Sequence, residues 1–288
     1  VSQPRDYLLE VGTEELPVGF LQNVTSELTS RLTDALSAHR LDHGPIEIKL
    51  TPRRMAIVVR ELAALQRSFD EVIKGPPVKI AIDDDGNLTK AGEGFARKNN
   101  ADPKDIQRQD IDGTPYLVYH KHTEGQPVAQ VLPQLLPDVI LGLSGSHFMT
   151  WDDAGIRFSR PIRWLLSLYG DDHLPVTIGN TASGTSTRGH RFFGDENEIA
   201  IASVSDYEDT LAQRGEVVVD HLKRKAFIQT DLQKKAQAVQ GTVPDDDELL
   251  DTVTFLVETP CAVAGSFEET YLDLPREVVT TVMSAHQK

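Results

Sequence analysis

The stretch YLLEVGTEELP (residues 7–17) runs straight into VGFLQNVTSELTSRLTDAL (18–36), and IEIKLTPRRMAIVV (46–59) follows after a polar link. Residues 7–11 form a short apolar run bounded by Gly12, which predicts a strand. Residues 12–17 read as a turn into a helix, with Pro17 near the first turn, where a missing N–H costs nothing. From Phe20 onward, Leu21, Val24, Leu28, Leu32, Ala35 and Leu36 recur at spacings of three and four. That spacing predicts an amphipathic helix of about five turns. Residues 46–50 and 55–59 read as two strands joined by Thr51-Pro52-Arg53-Arg54, so the chain opens β-α-β-β with two arginines at the last connection.

Outward from this unit the pattern stays mixed. Gly75-Pro76-Pro77 precedes an expected strand at 78–82, residues 83–87 make an acidic turn, and 89–98 read as a short helix with Ala91, Phe95 and Ala96 on one face. A strand is expected at 116–120, and a helix at 128–143 that Pro133 and Pro137 must kink or divide. Strands are expected at 162–169, 174–178, 199–202, 217–219 and 261–264, with a polar loop over 179–191. Ser205 and Glu208 have the spacing of a capping box, and helices are predicted at 223–240, 245–257 and from 275 onward. Helices and strands mix without strict βαβ alternation, so the expected class is α+β, with mixed sheets and packed helices.

The 288 residues are 39% hydrophobic and 25% charged, the composition of a globular chain, which excludes disorder and collagen. The single Cys261 rules out an internal disulfide framework and a multi-Cys zinc site, and beside Pro260 and Ala262 it reads as a small buried hydrophobe. The longest apolar stretches, near 56–59 and 164–168, are too short to span a bilayer. The first residue is Val and no capping Gly or Asn follows the last helix, so a piece of a longer chain is expected.

A formal charge of -15 excludes a protein that coats nucleic acid through bulk positive charge. The distribution is uneven, however. Residues 49–98 and 154–194 each carry +3, and the remainder carries -21. Each basic window is either a solvated face or part of a contact surface for a polyanion such as RNA.

Catalytic templates are missing: no phosphate-binding G-x-x-x-x-G-K-[ST], no G-x-S-x-G elbow and no H-E-x-x-H occurs. His120 and His122 share a strand face but have no third ligand near in sequence, which favours a surface role over a metal. Glu14 and Glu15 fit a helix start better than a catalytic pair. Two clusters remain. Arg160-Pro-Ile-Arg163-Trp164 and Thr187-Arg188-Gly-His190-Arg191-Phe192 set arginines beside aromatic rings. Arginine's planar fork suits phosphate and an aromatic ring suits an unpaired base. The alternative is that these arginines pair with Asp152, Asp153, Asp171 and Asp172 to fix loops.

In order along the chain, Gly12-Thr-Glu-Glu-Leu-Pro17, Thr51-Pro-Arg-Arg54, Lys74-Gly-Pro-Pro77, Glu93-Gly-Phe-Ala-Arg-Lys98, Arg160-Pro-Ile-Arg-Trp-Leu165, Thr187-Arg-Gly-His-Arg-Phe192 and His286-Gln-Lys288 are joined. Together they resemble the N-terminal part of the beta subunit of bacterial heterotetrameric glycyl-tRNA synthetases. One departure is Met149-Thr150-Trp151, where the family usually has an arginine before the tryptophan, so that arginine's contact is not carried over.

The resemblance implies a tRNA-binding and scaffolding role in the ATP-dependent attachment of glycine to its tRNA. It implies an alpha subunit that carries the active site and uses ATP with Mg, a second beta subunit in an alpha2/beta2 tetramer, tRNA for glycine as partner, and no membrane. No cofactor and no catalytic residue are expected in this part, and the location implied is the bacterial cytoplasm or an organelle of bacterial descent. Residues 1–125 are expected to form an N-terminal α+β region, and 126–288 a region resembling the B3/B4 module of the phenylalanyl-tRNA synthetase beta subunit. Arg53, Arg54, Arg97, Lys98, Arg160, Arg163, Arg188, His190 and Arg191 are the candidate tRNA contacts. Two rival roles stand beside this one: subunit docking with tRNA held elsewhere, and hydrolytic editing. Glycine's small size weakens the motive for editing, because larger amino acids are excluded sterically.

Overall fold

A computed structural model of the chain describes residues 3–146, 148–153, 155–194 and 198–286. Gln287 and Lys288 of the last motif lie outside the described residues. In chain order the main elements are β1 (Arg5–Thr13), α1 (Val18–Ala38), β2 (Ile46–Thr51), β3 (Arg54–Leu62), β4 (Phe69–Pro77), α2 (Val78–Ala81), α3 (Lys90–Lys98), β5 (Ile106–Ile111), β6 (Thr114–Thr123) and α4 (Val128–Leu141). There follow β7 (Met149–Thr150), β8 (Arg157–Phe158), β9 (Ile162–Tyr169), β10 (Asp172–His173), β11 (Thr177–Ile178), β12 (Thr181–Gly184), β13 (Ser186–Thr187), β14 (Ile199–Ala200), α5 (Tyr207–Arg214), α6 (His221–Ala238), α7 (Asp247–Thr254) and α8 (Arg276–His286). The class is α+β, as expected.

The chain forms two compact units. One joins Val1–Ala64 to Val128–Lys288, and the other is Leu65–Pro127. The division expected after residue 125 falls close to the end of the smaller unit, while the opening β-α-β-β packs with the later residues.

The larger unit is built on a seven-stranded sheet of order β11-β12-β9-β1-β3-β2, with β10 paired to β9. Its central strands are apolar on both faces because both are covered. Tyr7, Leu9, Val11, Met55, Ile57, Val59 and Leu165 meet the apolar stripe of α1 and the buried residues of α4. On the opposite face Leu8, Ala56, Val58, Leu166 and Leu168 pack with Ile199, Ile201, Tyr207, Leu211, Val217 and Val219. Successive strand side chains alternate between these two cores. Pro133 and Pro137 both lie inside α4, which runs as one helix, so of the two outcomes expected, a kink or a division, the helix is not divided.

Arg224 is fully buried, and its hydrogen bonds among the described residues go to carbonyls. It donates to Thr254 O at 2.9 Å, Val218 O at 2.6 Å and Leu50 O at 2.7 Å, tying α6, the end of α7 and β2 together. Burial lowers its pKa to about 10.

The smaller unit holds the antiparallel sheet β4-β6-β5 and the short helices α2 and α3. Residues 78–82 were expected as a strand but begin with a helix, N-capped by Pro77, and the strand lies before it at Phe69–Pro77. An edge strand has unpaired N–H positions, so it tolerates prolines at its end. The sequence reading missed β5, whose IQRQDI has apolar residues only at its ends. The signal available was Asp112-Gly113, both at positive φ, the hairpin turn between β5 and β6. Gly75 abuts the Phe95 ring, where an added Cβ would lie 2.8 Å from the nearest ring atom, so two of the quoted motifs pack on each other here.

Other expectations are corrected in the larger unit. Residues 217–219 and 261–264 pair in no sheet, and Cys261 is exposed, not buried. Of residues 174–178 only the last two form a strand, and the loop 179–191 contains β12 and β13. The capping box does not form. Glu208 accepts from Lys49 and Lys223 instead, and Ser205 Oγ meets Ser203 and Asp206. No helix among the described residues is long and apolar enough to cross a membrane.

A candidate nucleic-acid interface

Three neighbouring strands bring the motifs together. Gly12 near the end of β1 is registered against Arg54 at the start of β3 and against Trp164 near the start of β9. The Trp164 indole lies on Gly12, where an added Cβ would sit 1.9 Å from the ring. Only glycine leaves room for this packing. The loop after β13 completes the site with Arg188, His190 and Arg191.

Beneath the surface is a buried polar network. Glu10 is fully buried in the apolar run of β1, and accepts from Trp164 Nε1, Tyr207 OH and, at 2.5 Å, Thr187 Oγ1. Arg54, also fully buried, donates through Nε to Glu258 at 3.0 Å and through Nη1 to Arg188 O at 2.9 Å. Its Nη1 lies 3.8 Å from Glu10 Oε2. Thr51 Oγ1 adds a bond of 2.6 Å to Glu258. Burial works against ionising Glu258, but the Arg54 charge and the Thr51 hydrogen bond outweigh it and hold its carboxyl below the ordinary range. Burial and the nearby Glu10 carboxylate both push the Tyr207 phenol well up.

The guanidinium carbons of Arg53 and of the buried Arg54 lie 5.6 Å from the Trp164 ring centroid, and that of Arg188 lies 5.1 Å away. Attraction between a cation and the face of a tryptophan ring holds such groups in place. At the rim Arg191 binds Glu14 at 2.6 Å and Glu15 at 2.8 Å, while Arg163 meets Glu14 at 3.3 Å. The Arg191 hydrogen bond keeps the Glu14 carboxyl below its ordinary value. His190 stacks on Phe193 at 4.6 Å, and burial lowers its pKa. Phe192 and Phe193 are 82% and 64% exposed.

The structure therefore gathers Arg53, Arg54, Arg163, Arg188, His190 and Arg191 from separate segments. Arg54 supports the surface from below, since it is buried. Arg160 donates to the carbonyl of its neighbour Ser159. Arg97 and Lys98 belong to the other unit and are exposed in the last turn of α3, where positive charge favours the helix dipole.

Three of these arginines, Arg54, Arg163 and Arg191, pair with acids. Asp171 and Asp172 bind Arg5, while the site arginines use Glu10, Glu14, Glu15 and Glu258. Glu14 and Glu15 precede α1, which starts at Val18, and serve as ion-pair partners and not as first-turn acids. Sequence reading also missed Glu10, Tyr207 and Glu258. A carboxylate inside YLLEV was the available signal, because an acid is buried only when it is partnered. His122 binds Asp70 at 2.6 Å on the exposed sheet of the smaller unit. Among the described residues no cluster of His, Cys, Asp and Glu is arranged to hold a metal ion.

Comparison with known proteins agrees with the motifs. A family model described as glycyl-tRNA synthetase beta subunit matches residues 7–288. The glycine-tRNA ligase beta subunits of Desulfitobacterium hafniense and Bacillus subtilis are each 39% identical over 284 residues, covering 99% of this chain and 41% of theirs. That of Acaryochloris marina is 39% identical over 286 residues, covering 98% of this chain and 40% of its own. The chain thus spans about two fifths of the length of the curated relatives it matches.

Proposed function

The chain belongs to the glycyl-tRNA synthetase beta subunit family, and from that premise we propose that its larger unit presents the surface around Trp164 to tRNA. The enzyme so served attaches glycine to its tRNA. In this reading an alpha subunit performs the ATP-dependent chemistry, a second beta subunit completes an alpha2/beta2 tetramer, and the present residues bind and position RNA. No step of the chemistry is assigned to a residue of this chain.

The observation that carries the reading is the convergence of Arg53, Arg163, Arg188 and Arg191, from three separate segments, beside two exposed phenylalanines. Guanidinium groups supply phosphate contacts, and exposed rings supply stacking for unpaired bases. The acidic remainder of the chain limits binding elsewhere, which suits an enzyme that must choose among tRNAs of equal charge.

The subunit-docking alternative has one observation in its favour: Arg54, Trp164 and Thr187, from three of the motifs, are tied into the buried network of Glu10 and Glu258 and so serve the fold. The two roles separate by experiment. In the assembled enzyme Arg188→Glu should weaken tRNA binding about tenfold or more, and flatten the slope of log K against log salt by about one. Phe192→Ala removes an 82% exposed ring, so it should cost about 1–3 kcal/mol of tRNA binding while leaving the unfolding midpoint in place. Unchanged tRNA affinity in both variants, with altered subunit assembly, would favour docking.

A further inference from the structure

Buried N–H groups in proteins nearly always have an acceptor. In the cluster around Trp164 several have none. Nε and Nη1 of Arg53 and Nη2 of the fully buried Arg54 are enclosed, and no described residue accepts from them. Thr13, whose amide donates to Arg53 O at 2.8 Å, has a buried hydroxyl in the same condition.

Formal charge locates the excess. At the rim Arg163 and Arg191 are matched by Glu14 and Glu15. In the cluster itself Arg53, Arg54 and Arg188 face Glu10 and Glu258, and both carboxylates lie against Arg54. One positive charge is left over, shared by Arg53 and Arg188 on one indole. His190, which stands in the field of Arg53 and Arg54, is pushed by burial toward its neutral form and adds no competing cation.

We propose that Arg53 and Arg188, held over Trp164, form a subsite for a single phosphoryl oxyanion. Binding turns the half-buried Arg53 side chain so that its orphaned N–H groups donate to the oxyanion together with those of Arg188, and the planar fork of Arg53 sets their direction. A phosphate of the tRNA backbone and a free phosphate share this chemistry. With tRNA as the source, the subsite rests on the function proposed above; with a free anion it does not.

The test is titration of inorganic phosphate into the 288-residue chain at fixed ionic strength, with chloride as the reference anion, read by calorimetry. Saturable binding is expected, weakened about tenfold or more in Arg53→Lys, which keeps the charge and loses the fork. Arg188→Gln should weaken it similarly, and because Arg188 is only partly buried this variant keeps the test decisive if Arg53→Lys fails to fold. Lys235→Gln, on the exposed side of α6, should bind as the unaltered chain does. Phosphate that binds no better than chloride, or equally well to both arginine variants, overturns the subsite.

A second arm measures tRNA affinity of the full enzyme with and without phosphate. Competition, together with weaker tRNA binding in Arg188→Gln, identifies the tRNA backbone as the source. Phosphate binding that depends on the arginines while tRNA affinity does not identifies a free oxyanion. In that case the subsite stands and the tRNA reading of these two residues falls.

Discussion

Arg54→Met is expected to lower the unfolding free energy of the larger unit by about 3–5 kcal/mol, because it leaves carboxylates buried without their counter-charge. Glu258 loses its 3.0 Å partner, and Glu10 loses the cation 3.8 Å away. Both side chains are buried with almost no access to water. The folded-state carboxyl of Glu258 sits below its ordinary value, so the stabilisation it contributes is present above the unfolded pKa and is lost as pH falls through the folded one. In Arg54→Met that contribution is missing already at pH 7, so the gap between the two proteins should persist to about pH 5 and narrow as the pH falls below the ordinary carboxylate range. A second change, Glu258→Leu, should return part of the loss, since a partnerless charge costs more than an apolar replacement of the pair. Urea unfolding followed by circular dichroism measures all three. A loss below about 1 kcal/mol in Arg54→Met would mean that water reaches the network.

Gly12→Ala is expected to cost about 3 kcal/mol, the upper part of the range for overpacking a filled site. The new Cβ would stand 1.9 Å from Cε2 and 2.0 Å from Cδ2 of Trp164. A flexible side chain would swing away, but this indole is tied through Nε1 to buried Glu10 and flanked by Arg53, Arg54 and Arg188. Relief therefore means breaking a buried hydrogen bond or separating β1 from β9. Trp164 is only 7% exposed, so its displacement should also shift the emission of the protein to the red. Trp164→Leu in the Gly12→Ala background should restore space and cost less than the sum of the two changes. An unchanged urea midpoint in Gly12→Ala would show that the indole moves freely and is no platform for the arginines.

The opening β-α-β-β was legible because its helix stripe and its apolar strands are set by local periodicity. The strand at 162–169 was read to its ends for the same reason, being apolar and flanked by Pro161 and Gly170. The return of the first 64 residues to pack with those after 127 leaves no local trace, since it depends on pairing across a long separation. Strand β5, largely polar, gave only its turn as a clue. In the site, the arginines were legible as residue types beside aromatics, but their partners were not. Asp171 and Asp172 are near Arg163 in sequence, yet the sheet places Glu14 beside it, from the far end of a strand pair. The support of Arg54 by Glu258 joins residues too distant along the chain for any spacing rule.

Arginine reactivity in the assembled enzyme reports whether the surface around Trp164 meets tRNA. A guanidinium-specific reagent is applied with and without tRNA for glycine, and modification is read residue by residue by mass spectrometry. tRNA is expected to protect Arg188 and Arg191, while Arg5, paired with Asp171 and Asp172, should react equally in both conditions. Equal reactivity of Arg188 and Arg191 with and without saturating tRNA would contradict tRNA contact at this surface.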